Sequence, residues 1–369
     1  MRDSTDVFVI GGGPAGLAAA IAARQRGFNV MVADGARPPI DKACGEALMP
    51  DAITALERLG VVVPATDAYL LNGVRFLSSG LSADAMFPSG RGGISVRRPV
   101  LHRVMIERAA ALGVELLWQS VVTGISAEGV QLGGRAIRAR WTVGADGNNS
   151  RVRRWANLNP HSRTGLRYAF RRHYRVRPWT DRMEVYWGKH SQGFTNPVSS
   201  EQVCVAVASP DPELRLDESL LAFPGLHARL RGVEPSSIER GSVSANRKLK
   251  RVWRGNVALI GDASGTVDAI TGEGLGLSFR QAIVLAECFA SGSLSGYNAA
   301  HRRLALRPLL MARLMLTLDG RPWMQERTLQ AFRKRPEIFR RLLALHVGSL
   351  SPLDLALDGL SLGWGMLTA

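Results

Sequence analysis

The chain of 369 residues is 46% hydrophobic and 21% charged, which excludes a disordered or fibrous protein and suits one large domain or two interleaved ones. Cys44, Cys204 and Cys288 show no C-x-x-C pairing, so a disulfide scaffold and a thiolate zinc site are excluded and no metal is expected. Lys+Arg 47 against Asp+Glu 31 gives a net charge of +16, nearly all of it arginine, which fits either a GC-rich coding bias or a surface that attracts something acidic. No apolar run reaches the ~18–20 residues of a membrane span and no signal-peptide layout precedes the first strand. A cytoplasmic protein without a nucleic-acid reader motif is expected, with peripheral membrane contact left open and the oligomeric state unspecified.

In chain order, Asp6–Ile10 reads as a buried parallel strand that enters Gly11-Gly12-Gly13-Pro14-Ala15-Gly16 and then a helix from Leu17 to Arg26. Gly11 permits the tight turn, Gly13 lets a pyrophosphate approach the backbone, and Gly16 lets helix and strand pack closely. A second strand, Phe28–Ala33, ends at Asp34, 23 residues after Gly11, where an acid can hold ribose hydroxyls. The unit binds a dinucleotide; by itself it leaves NAD and FAD open.

Two further landmarks decide between them. Trp141–Val143 ends in Gly144-Ala145-Asp146-Gly147 with Ser150 and Arg153 beyond. Asn256–Ile260 ends in Gly261-Asp262-Ala263, followed by Thr271-Gly272-Glu273-Gly274-Leu275-Gly276 and a helix to about Ala290. With GGGPAG these resemble, in order and spacing over residues 1–290, the flavoprotein superfamily of p-hydroxybenzoate-hydroxylase-type monooxygenases, geranylgeranyl reductases and flavin-dependent halogenases. The resemblance implies FAD as cofactor, with NADPH or NADH docking transiently as reductant, since the chain holds no second G-x-G-x-x-G unit. It implies cofactor contacts from Gly11, Gly13, Pro14, Ala15, Gly16, Asp34, Asp146, Gly147 and Asp262. The same holds for Gly272, Gly274, Leu275 and Gly276, whose helix would turn its N–H groups to the flavin pyrimidine. The alternative for Asp146 is a cap for a helix beginning near Ser150. Within Ser95–Leu101 the family register selects Arg98 over Arg97 for an FAD contact, and Val122 fits the position whose backbone meets the adenine.

The loop Asp41-Lys42-Ala43-Cys44-Gly45-Glu46 resembles the D-K-x-C-G-G/E segment of geranylgeranyl-reductase-like proteins and implies that Cys44, Gly45 and Lys42 lie at the flavin. Cys44 reads either as a redox or proton-transfer group or as a small packing residue. Lys42 reads either as a partner for an anion or as solvated. No two of the tryptophans stand in a Trp-x-Trp spacing, which argues against the best-described halogenases. Stretches within 167–208 read as antiparallel strands over a substrate cavity. Tyr168, Tyr174, Tyr186, Trp187 and Phe194 are candidate liners, half of them pointing outward by alternation, and His173 and His190 are the histidines nominated for proton transfer.

The expected fold is α/β: a Rossmann-type FAD-binding domain (1–72, 96–155 and 245–300), an interleaved antiparallel substrate domain (73–95 and 156–244) and a basic C-terminal helical cap (301–369). The expected function is an FAD-dependent oxidoreductase. The leading form is an NAD(P)H-dependent monooxygenase of secondary metabolism acting on an aromatic or polyketide-like small molecule, carrier-tethered or anionic in some variants. Alternatives are a geranylgeranyl-reductase-like alkene reductase, a halogenase and a non-catalytic flavoprotein.

Overall fold

The computed structural model describes residues 3–159, 162–189 and 191–351; His190 and the end of the expected cap lie outside them. From the N-terminus come β1 (Ser4–Ile10), α1 (Pro14–Gln25), β2 (Val30–Asp34), β3 (Ala47–Leu48) and α2 (Pro50–Arg58). Strands β4 (Ala68–Leu71), β5 (Gly73–Ser78), β6 (Leu81–Met86) and β7 (Gly93–Val96) lead into α3 (Arg98–Ala111). Next are β8 (Glu115–Trp118), β9 (Val122–Ser126), β10 (Gly129–Leu132), β11 (Arg135–Gly144) and α4 (Arg151–Trp155). The second half holds β12 (Ser162–Tyr174), β13 (Arg182–Trp187), β14 (Gln192–Ser199), β15 (Gln202–Ser209), α5 (Leu216–Leu220) and α6 (Pro224–Leu230). It closes with β16 (Arg240–Lys248), β17 (Trp253–Arg254), β18 (Val257–Leu259), α7 (Gly274–Ala290), α8 (Tyr297–Leu318), α9 (Pro322–Lys334) and α10 (Pro336–His346).

One sheet runs β17-β18-β11-β1-β2-β8, with β1, β2, β8, β11 and β18 parallel. Strand β1 is central and its Val7–Val9 are fully buried, as a strand covered on both faces must be. Helices α1 and α7 pack together on this sheet. Alanines fill much of α1 (Ala18–Ala20, Ala22, Ala23 buried), and their small size allows the close approach.

The second sheet runs β16-β12-β15-β14-β13-β5-β6, antiparallel except where β13 meets β5. Its outer face packs Tyr174, Tyr186, Val205 and Val207 against α5 and α6 through Leu216, Leu220 and Leu226. Its inner face is covered at one end by α9 and α10, where Val185 and Trp187 meet Leu329, Phe332 and Phe339. The rest of the inner face, on β12, β14 and β15, meets the 41–46 segment through Arg171, His173 and Asn196.

Candidate functional site

The ends of β1, β11 and β18 gather three turns. A Cβ on Gly16 would strike the Gly11 carbonyl, and one on Gly11 the Ala145 carbonyl, so both positions are closed to any side chain. Gly11 also sits at φ +110, a region other residues avoid. Gly13 differs: a Cβ there would meet nothing within 4 Å. Pro14 occupies the first turn of α1, Ala15 approaches Gly261 across the turn, and α1 carries neither a side-chain cap nor an acid in its first turn. Its leading N–H groups therefore form an open anion cradle.

Asp34 ends β2, and its carboxylate already holds the loop, accepting from Gly12 N–H at 2.7 Å and Ala36 N–H at 2.8 Å. Beneath lies fully buried His102, which the sequence reading missed. Its Nδ1 accepts from Ile40 N–H at 3.0 Å, so Nε2 carries the proton and donates to the Gly12 carbonyl at 2.7 Å. Burial pushes this imidazole below its ordinary pKa and keeps it neutral. Its signal was a histidine beside Leu101 and Met105 on the buried side of α3.

Asp146 accepts from Arg151 N–H and Val152 N–H at 2.6 and 3.1 Å and so caps α4, the plainer of the two roles read from sequence. Its other oxygen is buried without a partner among the described residues. Gly147 stands at φ +77 beside open space. Arg153 donates to the Ala263 and Asn148 carbonyls, tying the β11 turn to the β18 turn. Burial first, then Arg247, bring its pKa down to about 10.

Asp262 pairs with Lys42 at 3.1 Å, closing the 41–46 loop across the cleft. Gly272, left-handed at φ +67, and Gly274 both border open space at the uncapped start of α7. Gly276 is set back: its Cβ would fall 2.9 Å from that of Ala52, which gives it a packing reason against α2. Leu275 is partly buried on the main core, and Val122 is buried at the start of β9.

The 41–46 loop is anchored from below by a buried polar network. Glu46 adopts φ +65, uncommon for a residue with a side chain. Its Oε1 accepts from Arg98 N–H at 2.9 Å and faces Arg97 and Arg171 at 3.9 and 3.8 Å; its Oε2 meets His173 Nε2 at 2.6 Å. Arg171 donates to Asp41 at 2.6 Å and Asn196 donates to the Gly45 carbonyl at 2.7 Å. Among the described residues the Nε of Arg98 is buried without a hydrogen-bond partner, and Arg97 donates through Nη1 to Gln202 on the second sheet. His173 is fully buried with both ring nitrogens engaged, Nδ1 lying 2.9 Å from Ser237 Oγ. Cys44 is half-buried, its Sγ accepting from Glu46 N–H at 3.3 Å.

On the inner face of the second sheet, Ala169, Phe194 and Ala206 share one patch and stay partly open. Of the five aromatic candidates, Phe194 lies in this patch and Trp187 is buried under Phe339-bearing α10. Tyr168, Tyr174 and Tyr186 fall on the opposite face, as alternation requires. The charged side chains bordering the patch are paired internally: Arg171 as above, and Arg167 with Asp268 and Asp319 at 3.1 and 2.5 Å.

Two open helix N-termini, a glycine without neighbours and an orphaned buried acceptor converge on one crevice between two sheets, which fits a dinucleotide cofactor and an adjoining substrate space. Such a layout defines a flavin-dependent oxidoreductase of the two-sheet type. The family model described as "FAD binding domain" matches residues 4–299, and the chain belongs to that family; FAD is its cofactor. It is 28% identical to a menaquinone reductase of Mycolicibacterium smegmatis, covering 81% of this chain and 80% of the relative. It is also 28% identical to digeranylgeranylglycerophospholipid reductase 1 of Methanothermobacter thermautotrophicus, covering 82% and 81%. A solved flavoprotein/dehydrogenase from Cytophaga hutchinsonii superposes with a TM-score of 0.82 at 20% identity over 93% of both chains.

Proposed function

We propose that the enzyme reduces a carbon–carbon double bond in an uncharged, isoprenoid-like substrate, with NADPH or NADH docking transiently to renew the cofactor. The carrying observation is the inner-face patch: Ala169, Phe194 and Ala206 present apolar surface, while the charged side chains bordering them are paired within the protein, Arg167 with Asp268 and Asp319, Arg171 with Asp41 and Glu46, and Glu46 with His173. A phenolate or carboxylate would enter this space without a partner, at a cost of several kcal/mol. The two reductase relatives support the same choice. It reverses the order of the sequence reading, where hydroxylation of an aromatic compound came first.

FAD, when reduced, supplies the hydride. The chain's own residues do the rest. Gly13 and the start of α1 would hold the pyrophosphate, Asp34 and Asp262 the sugar hydroxyls, and the start of α7 the pyrimidine edge. The apolar patch would orient the alkene and exclude water. Cys44 would hand the thiol proton to the second alkene carbon and recover it from solvent. Glu46 and His173 would act through the backbone, fixing where Cys44 and Gly45 stand.

The test is anaerobic mixing of chemically reduced enzyme with a polyprenyl alcohol, followed by mass spectrometry. Gain of two hydrogens with flavin reoxidation supports reduction, and Cys44→Ala should slow that step by ~100-fold or more while the flavin stays bound. Substrate left unchanged, with an aromatic acceptor gaining one oxygen atom under air, would return hydroxylation to first place.

A further inference from the structure

Helix α8 has its polarity reversed. Its buried positions include Pro308 and Ala312, while Leu306, Leu309, Leu310 and Leu314 face solvent with exposures of 64%, 39%, 38% and 42%. These four recur at helical spacing, so they form one stripe. Arg302, Arg303 and Arg313 are exposed on the same side, and the helix contains no aspartate or glutamate. One turn beyond its end, Trp323 opens α9 with 62% exposure. A leucine stripe set among arginines, ending near an exposed tryptophan, has the composition of a helix lying in a membrane interface. The net charge of +16 supplies the complementary field for an anionic surface.

We propose that α8 docks this enzyme on an anionic lipid surface. The leucines enter the headgroup–acyl boundary and the arginine stems reach back to phosphates. Position adds a use. Asp319, the residue after α8, accepts from Arg167 at 2.5 Å and from Gln192 at 3.1 Å, both on the inner face of the second sheet. Gln192 stands opposite Ala208 in the ladder, and Arg167 precedes Ala169 by one inner-face step. The end of the stripe therefore borders the apolar patch, and a docked enzyme would take its substrate from the lipid without carrying it through water. The docking surface stands on α8 alone; the delivery role rests on the proposed activity.

The experiment is co-sedimentation of FAD-loaded full-length enzyme with phosphatidylcholine vesicles, with and without phosphatidylglycerol. Wild type should pellet with the anionic vesicles, and L306S/L310S/L314S should lose at least ~10-fold in partitioning. An unchanged flavin spectrum and melting temperature would certify that variant's fold. Equal pelleting of variant and wild type, or failure of wild type to bind anionic vesicles at low salt, would overturn the proposal. So would a dimer in ultracentrifugation that the variant abolishes, since it would assign the stripe to a second copy. Turnover of a detergent-dispersed polyprenyl alcohol without vesicles reads the activity separately.

Discussion

Glu46 Oε2 and His173 Nε2 lie 2.6 Å apart with neither side chain exposed, joining positions 127 residues apart in the chain. Burial lowers the histidine's pKa, so the pair is a carboxylate accepting from a neutral imidazole. The loop bearing Cys44 and Gly45 is thereby referenced to β12 of the second sheet. Cofactor-side and substrate-side geometry share one anchor.

Removing that carboxylate should be expensive. Glu46→Ala strips the partner from His173 and the Arg98 N–H and leaves Arg97 and Arg171 facing each other. Loss of one member of a buried ionic group costs ~3–5 kcal/mol. Glu46→Gln keeps the hydrogen-bonding shape and should cost visibly less. Denaturant titration of the three proteins measures this; equal midpoints would show that the network carries no stability.

Acid should destabilise the fold through its histidines. His102, His173 and His301 all have folded pKa values below the ordinary 6.5, each chiefly from burial, and His301 is brought down to about 4. Below pH 6.5 the unfolded chain binds protons that the folded chain refuses, so stability falls as pH drops through that window. His301 alone should account for up to about 3 kcal/mol between pH 6.5 and 4. Urea unfolding across this range should show the slope, and His301→Asn should flatten it.

The glycines of the first turn should separate into two kinds. Gly16→Ala forces a Cβ onto the Gly11 carbonyl and should lower the melting temperature of the cofactor-free protein. Gly13→Val meets open space, so the cofactor-free protein should melt as wild type does while FAD affinity falls ~100-fold or more. Equal loss of stability in both variants would mean that Gly13 is also a packing residue.

Lys42 and Asp262 are each nearly half exposed, so their pair should add under ~1 kcal/mol to stability. Its effect should appear as a rate. Lys42→Met should leave unfolding unchanged but speed FAD release, and added salt should mimic it in the wild type. Fluorescence of released flavin follows both.

Much of this site was legible because its logic is local. Gly11, Gly13 and Gly16 follow an apolar strand at fixed spacing, and the turn they make needs only neighbours in sequence to be recognised. Asp34, Asp146 and Asp262 each stand at a strand end for the same reason. Glu46 and His102 were missed because what defines them is distant: His173, Arg171, Ile40 and the Gly12 carbonyl. Each still left a trace, a polar residue inside an apolar run (Ala43 to Met49) or on the buried side of a helix. Aromatic liners were half legible: alternation divides β12–β14 into two faces, while only tertiary packing tells that Trp187 is buried in the cluster built by α9 and α10 and that Phe194, at its border, stays partly open.

The bond from Arg167 to Asp319 also sets how short this protein can be. The family match stops at residue 299, yet a polypeptide ended there would leave Arg167 on β12 with only Asp268 of its two carboxylate partners. It would also strip Val185 and Trp187 of the hydrophobic cover supplied by Leu329, Phe332 and Phe339. During synthesis the second sheet must therefore wait, its inner face wet, until some hundred residues after its last central strand have emerged.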